Sequence, residues 1–387
     1  MVTKKIVCCI LAFTGVFVVF AQKKKETNYL IYHDWINNAE SFYFLESNYD
    51  SAAYYYKKAF SNFDFVFVKD CIIAAELAAA NKKKEDFLFF TTRGFERGWR
   101  LEDMTKLAYT GGSRFVPVNV FNSLLTDKSL HDYLAKEYPL RRKKYLASIE
   151  VSLREKLVDM FMEDELNKNV HMKQGEKFED RYMKHAKVVQ KNNLRLDSIV
   201  KKVGFPGEKL TGIENDHLME ELGCKGKDPL WQYDHYYYKY ADSLNIDRKM
   251  FSLDEDEYTC KILYVLLIHA SCSYWKYQSV FPKNIATGNI HPRDVAFLLD
   301  FMINDGPAAV RRKHTAIKKY LGCSIDTNAK RNYTSGLDVV DAPEEVFYDV
   351  NQYRKKWHIV PIEVDIAKRK YELEAGVQLF FGFFNHL

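Results

Sequence analysis

The chain is predicted to be mainly α-helical, with helical hairpins in its first part followed by a multi-helix domain. Apolar residues recur at steps of three and four along most of the sequence, which is the spacing of one helix face. Capping sequences such as Asp228-Pro229 and the Ser-Leu-Asp-Glu run at 252–255 mark helix starts. Signals for β-strands are few and short, and they lie at 65–68, 116–118 and 359–364. Helices are therefore expected to build the core.

The N-terminus has the layout of a secretory signal peptide. Lys4 and Lys5 are followed by an apolar stretch over 6–20, and the small residue Ala21 precedes the expected cleavage position. A membrane anchor is the alternative, but the stretch holds about 15 residues where a spanning helix needs about 20. We therefore predict that residues 1–21 are removed and that the protein is exported to the periplasm or outside the cell. Association with the cell envelope is left open.

Charge and composition exclude two classes of protein. The net charge is +5 over 387 residues and falls to +3 without Lys4 and Lys5. Basic residues are interspersed with acidic ones, whereas a nucleic-acid-binding protein shows a clustered basic face. No second long apolar stretch follows the leader, so no transmembrane helix is expected after cleavage.

With 27 Phe and 26 Tyr, the chain is rich enough in aromatic residues to build a packed core.

The segment from 34 to 100 has the pattern of two helical hairpins. Small and aromatic residues recur in the first hairpin, and these are Tyr43, Phe44, Ala52, Tyr55, Tyr56, Ala59 and Phe60, with a turn at 48–50. They resemble a tetratricopeptide repeat, in which two antiparallel helices touch through small residues. Ser47 stands where the family usually has a turn glycine, and a second copy ends at Gly98-Trp99. An ordinary pair of helical hairpins is the alternative.

This resemblance implies a binding role. Repeat helices form a concave groove for proteins or peptides, and tyrosines supply contact area with little loss of side-chain entropy. Tyr43, Tyr55 and Tyr56 are therefore predicted to lie on the binding surface. Two such units rarely bury enough surface to fold alone, so the segment is expected to pack against the rest of the chain.

A second resemblance covers about 177 to 305. The short motifs Asp180-Arg181, 204–206, 266–271 and above all 288–300 are similar to an uncharacterised domain family of exported bacterial proteins. That family has no assigned activity, so the resemblance adds no chemistry. The predicted division of the chain is a signal peptide at 1–21, a repeat region at 22–135, a long connecting helix at 136–175, a helical domain at 176–325, and a loop with a C-terminal helical tail at 326–387.

The residues with an enzyme-like grouping are histidines and aspartates of the 176–325 domain. The candidates for general acid–base chemistry are His217, His269, His291 and Asp294. Helix capping is the alternative for two of them, because His291 precedes a proline at a helix start and Asp294 lies in the first turn. For His269, which lies in an apolar helix, the alternative is a buried and hydrogen-bonded side chain.

Sequence motifs for metals and cofactors are missing. There is no His-Glu-x-x-His, no Cys-x-x-Cys and no phosphate-binding glycine loop. The acidic run at 254–257 lacks the alternation and the glycine of a calcium loop. We therefore predict no cofactor and no metal. Cys71 is expected to be a buried thiol, and a disulfide among the four other cysteines is left open; these are Cys224, Cys260, Cys272 and Cys323.

Two functions from different classes are compatible with these patterns. The favoured one is a non-catalytic, exported helical-repeat protein that binds a protein or peptide in the bacterial envelope. The alternative is a hydrolase-like enzyme that uses the histidines and aspartates of the 176–325 domain. The two differ in one spatial expectation, because the enzyme needs His217, His269, His291 and a carboxylate in one cleft.

Overall fold

A computed structural model of the chain describes residues 25–104, 120–165, 178–213, 218–224, 260–269, 277–301, 339, 342–375, 377 and 379–381. Every regular element in these ranges is a helix, and 15 of them are α-helices. The predicted mainly α fold is therefore confirmed. The predicted signal peptide at 1–21 and the helix starts at Asp228 and 252–255 lie outside the described residues.

Short connections join most of the helices in the first part of the chain. The first seven are α1 (Tyr29–Phe44), α2 (Tyr49–Asn62), α3 (Val68–Ala80), α4 (Lys84–Phe95), α5 (Asn122–Leu125), α6 (Lys128–Ala147) and α7 (Val151–Glu165). The other described α-helices are α8 (Phe178–Val203), α9 (Glu208–Thr211), α10 (Leu218–Glu221), α11 (Lys261–His269), α12 (Phe281–Ala286), α13 (Pro292–Phe301), α14 (Phe347–Lys356) and α15 (Ile362–Ala375). Single 3₁₀ turns lie at Glu102–Met104 and Glu344–Val346.

The first four helices form two hairpins over the predicted segment. α1 packs along α2 and α3 along α4, and each pair is joined by a short turn. Ser47 and Lys82 occupy the same place in the two turns and have φ values of 52° and 54°, a conformation that glycine adopts most easily. Asn48 then caps α2, because its side-chain oxygen accepts a hydrogen bond from the Ser51 N–H at 3.0 Å. Membership of the repeat family stays a prediction.

α3 is the central helix of the N-terminal part. All of its residues except Lys69 and Ala80 are buried, and a helix that is apolar around most of its circumference has to be covered on every side. α2 and α4 pack against it. The C-terminal residues 377 and 379–381 belong to the same apolar core. These four residues therefore complete the core that the hairpins begin.

The C-terminal helix α15 lies against α1. The Tyr43 hydroxyl donates a hydrogen bond to the Tyr371 hydroxyl at 3.1 Å. The Tyr371 ring also meets Phe44 edge-on, with ring centroids 5.7 Å apart. One side of the first hairpin is thus occupied by the chain's own C-terminal part.

A second apolar core is built mainly by α7, α8, α11 and α13. α11 packs against the other three helices, and its Leu263 and Leu267 are fully buried. The glycine-free apolar periodicity over 176–203 predicts a long helix that Gly204 ends. α8 covers this helix from its third residue onward and ends before Gly204, which has a φ of 84°. The predicted helix and its glycine stop are confirmed.

The long connecting helix predicted at 136–175 is wrong in the part that the structure describes, because α6 and α7 are separate helices. The Ser148 hydroxyl donates to the Tyr145 carbonyl at 2.7 Å and so competes with the helical hydrogen bonds. The Glu150 N–H donates to the Leu210 carbonyl at 2.8 Å, which turns the chain toward α9. One apolar stripe continues across both helices, so periodicity alone hides the break.

Two local predictions are also wrong. The Thr-Gly-Ile-Glu run at 211–214 predicts that Thr211 caps a following helix, but Thr211 is the last residue of α9, and its hydroxyl donates to the Pro206 carbonyl at 3.1 Å. The strand signals at 65–68 and 359–364 form no strand, because the first is an irregular link into α3 and the second contains the start of α15. The signal at 116–118 lies outside the described residues.

None of the described helices is both long enough and apolar enough to cross a lipid bilayer. Cys71 is fully buried, as predicted, and no disulfide joins it to Cys224 or Cys260. Cys272 and Cys323 lie outside the described part of the chain.

A buried ion network joins α1 to α13, α14 and α15. Arg293 donates two hydrogen bonds to the Asp365 carboxylate, at 2.9 and 3.1 Å, and one to Glu40. Lys368 donates to the other oxygen of Glu40 at 2.7 Å, and Arg354 pairs with Asp365. These five residues are only 0% to 7% exposed. Charges at this depth are tolerated when they are paired, so the network fixes how the C-terminal helices lie on the first hairpin.

Glu40→Gln is expected to destabilise the fold by about 3–5 kcal/mol, because it removes a buried charge that two cations share. Urea unfolding followed by circular dichroism measures this change. Glu374→Gln is the matched control, since Glu374 pairs with Lys370 at 3.7 Å on the surface. It should change the free energy of unfolding by no more than about 0.5 kcal/mol. Equal effects of the two substitutions would contradict a structural role for the network.

Candidate functional site

Two of the predicted site residues lie at the start of α13. The Nδ1 of His291 accepts a hydrogen bond from the Arg293 N–H at 3.1 Å, which is a capping role and the alternative considered for this residue. The Asp294 carboxylate accepts a hydrogen bond from the buried Tyr264 hydroxyl at 2.8 Å. Both candidates therefore have structural partners.

A small cavity separates the start of α13 from α3. The charged and titratable residues that line it are Lys69, Asp70, Glu208, His291, Arg293 and Asp294. Its volume is about 20 Å³, and a water molecule needs about 10–15 Å³ of such space. The cavity therefore has room for one water molecule and is too small for an organic substrate.

His291 faces Asp70 across this cavity. Its Nε2 lies 3.5 Å from one Asp70 oxygen, and the other oxygen accepts a hydrogen bond from the Tyr32 hydroxyl at 2.8 Å. The rings of Phe67 and His33 meet His291 edge-on, with centroids 4.8 and 5.3 Å away. Burial lowers the pKa of His33, and His291 lowers it further. His33 is therefore held neutral at physiological pH.

Glu208 begins α9 and lines the same cavity. Its Oε1 accepts a hydrogen bond from the Val68 N–H at 2.8 Å, at the first residue of α3. Burial raises the pKa of the Glu208 carboxyl well above its usual range, and the nearby carboxylates of Asp294 and Asp70 raise it further. The surroundings of Glu208 thus favour its protonated, neutral form.

His269, the third predicted candidate, belongs to a different cluster. It lies in α11, and its Nδ1 forms a hydrogen bond with Asp164 of α7. The other Asp164 oxygen lies 3.1 Å from the Nε2 of His185 in α8. Burial alone would raise the pKa of Asp164, but the facing His269 and His185 lower it far below its ordinary value. The three residues offer one ligand atom each, all within 4.8 Å of one another.

The predicted histidines that the structure describes do not share one cleft. His291 and Asp294 line the cavity, whereas His269 lies in the cluster with Asp164. His217 lies outside the described residues. The convergence expected of a hydrolase is therefore missing for His269 and His291.

Sequence reasoning missed four residues of these two clusters: Asp70, Asp164, His185 and Glu208. Asp164 is 21 residues from His185 and 105 residues from His269, so a linear motif could not join them. Glu208 did carry a signal, because an acid directly after a Pro-Gly turn is typical of a helix start.

The three tyrosines predicted to bind a partner differ in their positions. Tyr56 is only 1% exposed, so its predicted surface role is wrong; the register of α2 turns it into the core. Tyr43 is half-buried and hydrogen-bonded to Tyr371 of α15. Tyr55 is half-buried and stacks on Phe42, with ring centroids 5.5 Å apart and an interplanar angle of 13°.

An aromatic face lies on the exposed side of the first hairpin, and it is defined by Trp35, Phe42, Tyr54, Tyr55 and Lys58. Tyr54 is 58% exposed and meets Tyr55 edge-on, with ring centroids 5.2 Å apart. The Lys58 ammonium lies 4.5 Å from the Trp35 ring centre. In the described part of the chain, no carboxylate pairs with Lys58. The face combines aromatic contact area with one positive charge.

Comparison of the chain with protein-family models, with curated proteins and with solved structures finds no match. The two family resemblances read from short motifs therefore stay predictions. Function is inferred from the two clusters and the aromatic face.

Glu208→Gln is expected to make stability less dependent on pH. The folded-state pKa of Glu208 lies above its unfolded value of about 4.3, so the folded chain binds this proton more tightly than the unfolded chain does. Wild-type stability should therefore fall as pH rises from about 4.3 through the folded-state pKa, by up to about 1.4 kcal/mol per pH unit. Gln cannot ionise and keeps an oxygen for the Val68 N–H.

Urea unfolding at several pH values between about 4 and 8 tests this expectation. The difference in unfolding free energy between Glu208→Gln and the wild type should grow in favour of the variant as pH rises. Glu345→Gln, at an exposed carboxyl, is the control and should follow the wild type. If the unfolding free energies of the wild type and Glu208→Gln changed with pH in parallel, Glu208 would not titrate in this way.

Proposed function

We propose that the protein is an exported, non-catalytic α-helical protein that binds another protein or a peptide through the aromatic face. The observation that carries the proposal is the 58% exposed ring of Tyr54, with the half-buried rings of Trp35, Phe42 and Tyr55 beside it. Single exposed apolar side chains are ordinary, but contiguous exposed patches mark interaction sites. Export rests on the signal-like segment at 1–21.

We assign the contact to the exposed side of the hairpin because α15 covers another side of α1. The Tyr43 and Phe44 side chains already contact Tyr371. A partner in the groove expected of repeat proteins would have to displace α15 and break the hydrogen bonds of Glu40. The aromatic face needs no such rearrangement.

The chemistry of the face indicates the kind of partner. Tyr and Trp dominate binding energy at protein interfaces because they bury large areas with few rotatable bonds. Lys58 lies among these rings without a carboxylate partner in the described residues. The face therefore suits a segment with an apolar or aromatic side chain next to an acidic residue.

A hydrolase has less support. His291 and Asp294 are held by structural hydrogen bonds and line a cavity with room for one water molecule. No described observation favours an organic substrate at this cavity.

The combined substitution Phe42→Ser and Tyr54→Ser is expected to weaken binding at least about tenfold, because removing an aromatic hot spot costs about 2 kcal/mol or more. A photo-crosslinking side chain at position 54 in native cells identifies the partner, and calorimetry with the purified partner measures affinity. Lys58→Glu should also weaken binding and reverse its dependence on salt.

Tyr348 provides the matched control, since it is a 75% exposed tyrosine on α14. Tyr348→Ser should bind the partner like the wild type, and a crosslinker at 348 should not capture it. Crosslinking from both positions alike, or unchanged affinity in the Phe42 and Tyr54 variant, would defeat the proposal.

A further inference from the structure

Three helices of the second apolar core bring Asp164, His185 and His269 together. α11 packs against α7 and α8, which pack against each other. Both oxygens of Asp164 are used, one toward each histidine. The side chains of Asp164 and His185 are each 1% exposed, and that of His269 is 11% exposed. The cluster is therefore shielded from water and reaches the surface only at His269.

From this geometry we propose that Asp164, His185 and His269 bind a divalent transition-metal ion of the zinc class. Two imidazoles and one carboxylate are a common three-ligand set for such ions, whereas magnesium and calcium prefer oxygen ligands alone. A tetrahedral ion with bonds of about 2.0–2.1 Å places its ligand atoms about 3.4 Å apart. The three ligand atoms already lie within 4.8 Å of one another, so shifts of about 1 Å would complete the site.

The surrounding charge favours a cation at this place. Asp164 places a buried carboxylate between the two imidazoles. A carboxylate buried this deeply needs a positive partner, and a bound metal ion would supply it. The remaining coordination position stays available for water or another ligand.

A proton can bind at this cluster in place of the metal ion. Without metal, each histidine can donate an N–H to Asp164, and one protonated imidazole would neutralise the carboxylate. In the described residues the Nδ1 of His185 is buried and has no hydrogen-bond partner, so in that state its proton lies on Nε2. Metal and proton compete for the same ring nitrogens, and metal affinity should therefore fall as the pH falls.

The test uses the full chain, expressed for export and freed of metal with a chelator. Titration with Co²⁺ should give the visible absorption bands of a tetrahedral site at one ion per chain. Zn²⁺ should displace Co²⁺ and, above its dissociation constant, raise the melting temperature with the logarithm of its free concentration. Mg²⁺ and Ca²⁺ should do neither.

Two substitutions test whether the ion binds at this cluster. Asp164→Asn keeps the shape of the side chain and removes its charge, and His269→Gln changes the most exposed member of the cluster. Each should lower Zn²⁺ affinity by at least about tenfold, since even residues next to metal ligands change affinity 10–100-fold. His358→Gln is the control, because His358 also faces a carboxylate, Asp34, at 3.0 Å, but on the surface. It should bind Zn²⁺ like the wild type.

Three results would overturn the site. One is a wild-type chain with neither cobalt bands nor a zinc-dependent melting temperature, and this measurement requires no variant to fold. Another is unchanged stoichiometry and affinity in Asp164→Asn or His269→Gln, which would locate the ion elsewhere. The third is zinc affinity that does not change between about pH 5 and 8, since the histidine ligands must lose their protons to bind.

Discussion

The arrangement of this chain depends on one buried carboxylate. Glu40 is 1% exposed, and its two oxygens accept hydrogen bonds from Arg293 and Lys368. A lone carboxylate at this depth would be strongly unfavourable, so α1 needs the two cations that α13 and α15 supply. Asp365 in turn pairs with Arg293 and with Arg354 of α14. The first hairpin is therefore held to three later helices by buried ion pairs. Water does not reach these charges, so it cannot take the place of their partners.

This constraint decides which surfaces remain for other roles. Residues 377 and 379–381, which follow α15, complete the core around α3 and are therefore part of the fold. The cavity between α3 and α13 is reduced to the size of a water molecule by the same packing. The aromatic face of Trp35, Phe42, Tyr54 and Tyr55 lies outside this packing, with Tyr54 exposed. The histidine and aspartate cluster lies on α7, α8 and α11, which belong to the second core.

The sequence predicted helices where local signals determine them. It did not predict which distant residues contact one another. The hairpin of α1 and α2 and the end of α8 before Gly204 follow from local signals, and the structure has both as predicted. The break between α6 and α7 depends on a hydrogen bond from Glu150 to α9, which no local pattern encodes. Candidate sites follow the same rule. His291 was recognisable as a helix-start residue. The pairs of Asp164 with His185 and of Asp70 with His291 join residues that are distant in sequence.

Native-state hydrogen exchange of the full chain tests most directly whether the C-terminal helix is an integral wall of the N-terminal core. If it is, the amides of α1, α3 and α15 open with the same free energy and the same dependence on denaturant, because the hydrogen bonds of Glu40 must break in one event. Exchange of α15 at a much lower free energy, with α1 and α3 still protected, would contradict the account.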